Sequence, residues 1–202
     1  MNKQKFLTTY LNDFSDLVKT DQNTIGQLVK VADLLKAVHS GRNKTLIFGN
    51  GGSAAVASHF SVDLTKNAGL RCINCNEADL ITCFANDYGF ERWVEKAIDF
   101  YGDMGDLLIV ISSSGCSKNI LNGVKAARNG NFKAVITLSG FEHDNPLRQL
   151  GDINLWVNSR AYNFVENIHQ VWLLAIVDYI IGKVEYSANP SRKINKASLN
   201  SK

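Results

Sequence analysis

Two short stretches of this 202-residue sequence carry residue types suited to holding an anion. The first is Gly49-Asn-Gly-Gly-Ser53 and the second is Ser112-Ser-Ser-Gly-Cys-Ser117, each standing between an apolar run and a helical pattern. Glycines let backbone N–H groups close on an oxyanion, serine hydroxyls add donors, and the N-terminus of a following helix adds partial positive charge. One such turn is weak evidence, because turns use glycine anyway; two at equivalent places in one domain predict a phosphate cradle. Further along, Glu166 and His169 stand at i, i+3 in a helical pattern, a spacing at which two side chains share a face and could act as an acid/base pair. Their neighbours Phe164, Val165, Ile168, Val171 and Trp172 are apolar, and burial among them would raise the glutamate pKa toward that of a working base. A buried histidine satisfied by that glutamate, or by a neighbouring subunit, is the structural alternative.

These groups need a scaffold, and the hydrophobic pattern supplies one. Short apolar runs at 45–48, 72–73, 107–111, 134–138 and 153–157 predict strands. Helical patterns lie between them at 53–66, 78–85 with 91–100, 118–129, a single turn at 146–150, and 162–181. Strands that are apolar throughout, separated by helices, predict an α/β fold: a three-layer, doubly wound, five-stranded parallel sheet of flavodoxin-like type. In such a sheet ligands bind beyond the carboxyl ends of the strands, where both glycine–serine stretches fall. Before the sheet, residues 1–40 predict a helical hairpin, with Phe6, Tyr10, Leu11, Phe14, Leu17 and Val18 on one stripe. That stripe serves equally as a cover for the core or as an oligomer interface. One domain over 1–186 is expected, with its α/β core at 44–182, followed by a polar tail at 187–202.

Composition narrows the function. The chain is 45% hydrophobic and 20% charged, which excludes intrinsic disorder. Its net charge of +3 comes from scattered residues rather than a basic stripe, so nucleic acid is not an expected partner. The N-terminal segment carries Asp13, Asp16 and Lys19 where a signal peptide would need apolar residues. No stretch approaches the ~18 continuous apolar residues that a membrane span needs, so a cytoplasmic location is expected. Cys72, Cys75, Cys83 and Cys116 read as small apolar residues of a reducing compartment; Cys72 and Cys75 have redox or metal spacing but lack a second pair. Gly49, Gly51 and Ala54 formally satisfy the dinucleotide fingerprint, but no acidic residue ends the second strand near Asn74, and no P-loop is present. A small phosphorylated ligand fits better.

At this point the sequence resembles a known family. Gly-Asn-Gly-Gly-Ser53 followed by His59, Ala85-Asn-Asp-Tyr-Gly89, and Ile111-Ser-Ser-Ser-Gly-x-Ser117 are similar to the motifs of the sugar isomerase (SIS) domain family, and most similar to its phosphoheptose isomerase branch. The resemblance runs from the N-terminal hairpin to about Gly182. It implies an aldose–ketose isomerase acting on sedoheptulose 7-phosphate, giving D-glycero-D-manno-heptose 7-phosphate for bacterial surface polysaccharide. It also implies a homotetramer with sites at subunit interfaces. By the same resemblance, Ser112, Ser113, Ser114 and Ser117 hold the phosphate, while Asn50, Gly51, Gly52, Ser53, Asn86 and Asp87 line the sugar.

Departures from the family pattern concern the metal. Metal-binding members carry a His and a Glu four apart after the first loop, and here His59 and Asp63 hold those places. Aspartate is about 1.5 Å shorter in reach. On the last helix the family has a Gln and, eight residues on, a His; an alignment anchored on Glu166 puts Val165 and Leu173 there. Zinc therefore keeps two candidate ligands, His59 and Asp63, and loses two. His169, about 40° round the helix from both lost positions, is the candidate replacement. Proton transfer and polarisation are assigned to Glu166, His169, His59 and Asp63, with or without a metal. A phosphosugar-binding or regulatory protein without catalysis, and an isomerase of a different phosphosugar, remain as alternatives.

Overall fold

A computed structural model describes residues 3–186. The predicted tail at 187–202 lies outside the described residues. Two helices, α1 (Lys3–Val18) and α2 (Gln22–Ser40), come first. Then β1 (Thr45–Phe48), α3 (Gly52–Lys66) and β2 (Cys72–Ile73) form the first crossover. They are followed by α4 (Ala78–Tyr88), a 3-10 turn at Phe90–Arg92, α5 (Trp93–Tyr101), β3 (Leu107–Ser112) and α6 (Lys118–Asn129). The chain ends with β4 (Ala134–Ser139), a 3-10 turn at Pro146–Gln149, β5 (Ile153–Trp156) and α7 (Tyr162–Ile181). All strand pairs are parallel, in the order β2-β1-β3-β4-β5.

The strands are apolar throughout because both faces of the sheet are covered. On one face Ile47, Ile109, Ile111, Ile136 and Leu155 pack under α2, α3 and α7; on the other Leu46, Phe48, Leu108, Val110 and Val135 pack under α5 and α6. The order reverses between β1 and β3, so α3 and α6 leave the sheet on opposite faces and the loops that start them face each other across a crevice. A buried carboxylate pins the other end of the same strand pair: Asp106 accepts from the backbone N–H of Lys44 (2.9 Å) and of Asp103 (2.9 Å) and from Lys44 Nζ (2.6 Å).

The two helices of the N-terminal hairpin pack differently. Val31, Ala32, Leu35 and Val38 of α2 are buried in the core, whereas α1 buries none of its residues. Instead α1 leans on one ring of α7: Phe164 meets Tyr10 with ring centroids 4.6 Å apart and Phe14 at 5.7 Å. Phe6, Leu7 and Leu11 face outward. The expectation that no segment is long and apolar enough for a membrane span needs correction, since α7, with 20 residues and a mean hydropathy of 1.3, passes that test. Its apolar stripe of Val165, Ile168, Trp172, Leu173, Ile176 and Val177 is packed in the core.

Candidate active site

The predicted phosphate loop and the first glycine loop do meet. Asn50, Ser53, Ser112, Ser113, Ser114, Ser117 and Glu166 line one cavity of about 200 Å³, together with Ile111 and Tyr162. Its walls are the starts of α3 and α6, the carboxyl end of β3 and the first two turns of α7. The residues that open α3 and α6 make no side-chain cap, so both helix dipoles and their first-turn backbone N–H groups, of which Ser53 N–H is taken by Glu166, converge on the crevice. Ser112 and Ser117 share a hydrogen bond between hydroxyls at 3.0 Å. Ser113 Oγ is buried and has no partner among the described residues, a donor left over in a site that sequence had marked for phosphate.

Two residues that sequence reading passed over hold these loops in place. Asn119, buried in the first turn of α6, exchanges two amide hydrogen bonds with Asn50: Asn50 Nδ2 donates to Asn119 Oδ1 at 3.0 Å and Asn119 Nδ2 donates to Asn50 Oδ1 at 2.8 Å. This pair closes the crevice across the switch between β1 and β3. Asn145 braces the serine loop from behind. Its Nδ2 donates to Ser139 Oγ (3.1 Å) and to the Glu142 carbonyl (2.8 Å), while its Oδ1 accepts from the Arg148 N–H (3.0 Å). Gly115 lies against the Asn145 amide in a left-handed conformation (φ 67°), and a Cβ there would collide with Asn145 Oδ1. Tyr162, a further missed lining residue, is held by Phe141 with ring centroids 4.8 Å apart.

Glu166 is the carboxylate of this cavity. It rests so close to Gly52 that any side chain there would force the carboxylate to move. Loss of solvation raises its pKa above the ordinary glutamate value, and a hydrogen bond from the Ser53 backbone N–H opposes that rise without cancelling it. The direction is the one expected from sequence.

His169 is not its partner. The ring is fully buried, and Nε2 lies 3.1 Å from the carbonyl of Ser139 at the end of β4. A carbonyl only accepts, so Nε2 carries the proton. Nδ1 then has a lone pair and no hydrogen-bond partner. Burial holds the pKa down at about 4. His169 is a neutral core residue that ties α7 to β4, and the acid/base pairing with Glu166 expected from sequence is corrected accordingly. The reason is helical phase: Val165, Ile168, His169, Trp172 and Leu173 form the stripe that faces the sheet, whereas Glu166 lies on the adjacent stripe, toward α3.

The remaining predicted residues separate. Gly51 and Gly52 start α3 beside the cavity. His59 and Asp63 lie farther down α3, with His59 Nε2 3.4 Å from Asp63 Oδ2 and the His59 side chain half exposed. Asn86 and Asp87 are exposed on α4, where Asn86 Nδ2 donates to Asp87 Oδ1 at 2.9 Å, and neither lines the cavity. A larger open groove of about 570 Å³ beside β2 includes Glu77 and Asp79, which repel a phosphate. Cys72 and Cys75 are buried free thiols, both with pKa values pushed up by burial, Cys75 to about 11, so neither is poised as a thiolate.

A zinc site on the family's plan does not fit these residues. Val165 and Leu173 are both fully buried in the core. Among the described residues no three His, Cys, Asp or Glu side chains group as metal ligands. His59 and Asp63 are left as a pair without further ligands of that kind.

The sequence model of the SIS domain matches residues 9–140, which cover most of the hairpin, both glycine–serine loops and four of the five strands. The chain belongs to the SIS domain family. Among curated relatives, this SIS domain is 35% identical to a phosphoheptose isomerase of Aliarcobacter butzleri over 159 residues, covering 76% of this chain and 82% of that protein. It is 31% identical to the phosphoheptose isomerase of Fusobacterium nucleatum over 180 residues, covering 85% and 91%. Among solved structures, phosphoheptose isomerase from Neisseria gonorrhoeae superposes with a TM-score of 0.80 at 27% identity, covering 89% of this chain and 98% of that one.

Proposed function

We propose that the chain is a phosphosugar isomerase that converts sedoheptulose 7-phosphate into D-glycero-D-manno-heptose 7-phosphate through an enediol. The observation that carries this reading is a single cavity holding both a serine cradle with an unpartnered donor and a desolvated carboxylate. The relatives named phosphoheptose isomerase support the substrate.

In this reading the 112–117 loop and the start of α6 bind the phosphate, and Asn50 with the α3 N-terminus orients the reacting end. Glu166, ionised above its raised pKa, takes the proton from C1 of the ketose. The electrons of that C–H bond form the C1–C2 double bond of an enediolate, and the carbonyl oxygen takes up the negative charge. Backbone N–H groups at the crevice stabilise that charge. Transfer of the hydroxyl proton from O1 to O2 and return of the Glu166 proton to C2 complete the aldose with no change in oxidation state overall.

A cavity of about 200 Å³ is smaller than the ~300 Å³ at which small-molecule sites begin. It accommodates the phosphate end while the rest of the sugar lies at the mouth. A second copy of the chain would cover that mouth, bringing Asn86 and Asp87 to the sugar. The outward apolar residues of α1, Phe6, Leu7 and Leu11, support assembly into a homotetramer. Four unpaired cysteines support a cytoplasmic setting, and supply of heptose to surface polysaccharide follows from the product.

The test is incubation with sedoheptulose 7-phosphate in deuterated water, with zinc and with chelator. Aldose product carrying solvent deuterium at the carbon next to the carbonyl is expected. Binding of the sugar phosphate without turnover, at every metal condition, would make the chain a phosphosugar-binding protein instead.

A further inference from the structure

The seam between α3 and α7 below the cavity holds a polar arrangement that the isomerase reading does not use. His59 stands between two partners: Asp63 Oδ2 lies 3.4 Å from Nε2, and Gln170 Nε2 lies 3.1 Å from Nδ1. The two nitrogens of an imidazole point in diverging directions, so Asp63 and Gln170 sit on different sides of the ring. They cannot close on one ion together with either nitrogen. The proton assignment is also determined. An amide nitrogen only donates, so with Gln170 Nε2 against it Nδ1 is the lone pair, and Nε2 of the neutral ring carries the hydrogen on the side of Asp63.

Gln170 stands one turn after Glu166 on the same stripe of α7, about 40° round the helix. It is half-buried, and Leu174, one turn further on, continues the stripe. The polar groups on the α3-facing side of α7 are therefore Glu166 and Gln170, while the positions that alignment gave to metal ligands, Val165 and Leu173, face the core.

We propose that Gln170 is a positioning residue that holds His59 as its Nε2–H tautomer toward Asp63, doing with hydrogen bonds what a bound metal would do, so that the site needs no divalent ion. The proposal stands on this geometry and does not depend on the isomerase reading.

The two are distinguished by nitrogen-resolved NMR of the protein labelled with 15N-histidine, which has four histidines in all; a His59→Asn variant assigns the His59 signals. The proposal predicts that His59 shows a protonated Nε2 and an unprotonated Nδ1, and that neither zinc nor chelator moves these signals. Gln170→Met, which keeps the side-chain length and removes the donor, should lose the single-tautomer pattern. Gln170→Glu, which places an acceptor against Nδ1, should shift the proton onto that nitrogen. Stoichiometric zinc binding that perturbs His59 in the wild type, or a tautomer pattern unaltered by Gln170→Met, would overturn it. The predicted pattern without turnover on any sugar phosphate would refute the isomerase reading alone.

Discussion

If His169 is a neutral core residue rather than an acid/base catalyst, stability and turnover should respond to its replacement in opposite senses from those a catalyst would show. In the folded state its pKa is about 4 against an ordinary value of 6.5. An unfolded chain therefore takes up a proton below pH 6.5 that the folded chain refuses until pH 4. Stability contributed by this group is present in full above pH 6.5 and is lost as the pH falls toward 4, at 1.36 kcal/mol per unit, or roughly 3 kcal/mol in all. Gln is the informative substitution, because its Nε2–H can still reach the Ser139 carbonyl while nothing titrates. Urea unfolding of wild type and His169→Gln between pH 4 and 8 measures the difference directly, and other groups cancel between the two proteins. The stability difference should be flat above pH 7 and move by roughly 3 kcal/mol in the variant's favour by pH 4. In the isomerase assay at neutral pH the variant should stay within a few-fold of wild type. Parallel stability profiles, or a loss of turnover of ~10²-fold or more, would refute the assignment of His169 to the core.

Three further outcomes are expected. Glu166→Gln should lower kcat by ~10²-fold or more with sugar-phosphate affinity nearly unchanged, and in the wild type the acid limb of kcat/KM should fall above the ordinary glutamate range, because the base works only when ionised and burial raises its pKa. Gly115→Ala should weaken inorganic phosphate binding, read by calorimetry, and lower the melting temperature, since a left-handed conformation costs an alanine about 1–2 kcal/mol and its Cβ must also displace Asn145. Asn119→Ala should cost about 1–3 kcal/mol in chemical denaturation by leaving the Asn50 amide without its partner, and Asn119→Asp, which cannot donate back and adds a negative charge beside the cradle, should weaken phosphate binding further.

What sequence made legible was what repeats locally. The strand starts at Thr45, Cys72, Leu107, Ala134 and Ile153 agree with the observed ones, because an apolar run bounded by small polar residues is a property of a few neighbours. The loops at 49–53 and 112–117 were visible for the same reason. The helix after β2 runs three residues beyond its expected end at 85, and the helix expected at 91–100 opens with a 3-10 turn at Phe90–Arg92, just after Gly89 (φ 89°) turns the path. Asn119 escaped notice because its meaning lies in a partner 69 positions away. Asn145 escaped notice likewise, because its role is to fill the space beside Gly115 and to brace the serine loop. His169 was misplaced because α7 is apolar on more than one side: Phe164 and Val171 suggested a buried surrounding for Glu166, yet Val171 is exposed, and only the packing shows which stripe meets the sheet.

The contact between α1 and Phe164 reaches further than the hairpin. A 16-residue helix that buries none of its residues has little to hold it in water, because isolated helices of about that length are marginal. What holds it is Phe14 and Leu17 against the core and the ring of Phe164, which sits in the first turn of α7 between Tyr162 and Glu166. A helix with no buried residue is thus joined to the part of α7 that carries the cavity's carboxylate. Amide hydrogens of α1 should exchange early, and whatever shields Phe6, Leu7 and Leu11 should slow exchange not only there but also in the first turn of α7. Cover on the outside of the molecule would then be read as order inside its cavity.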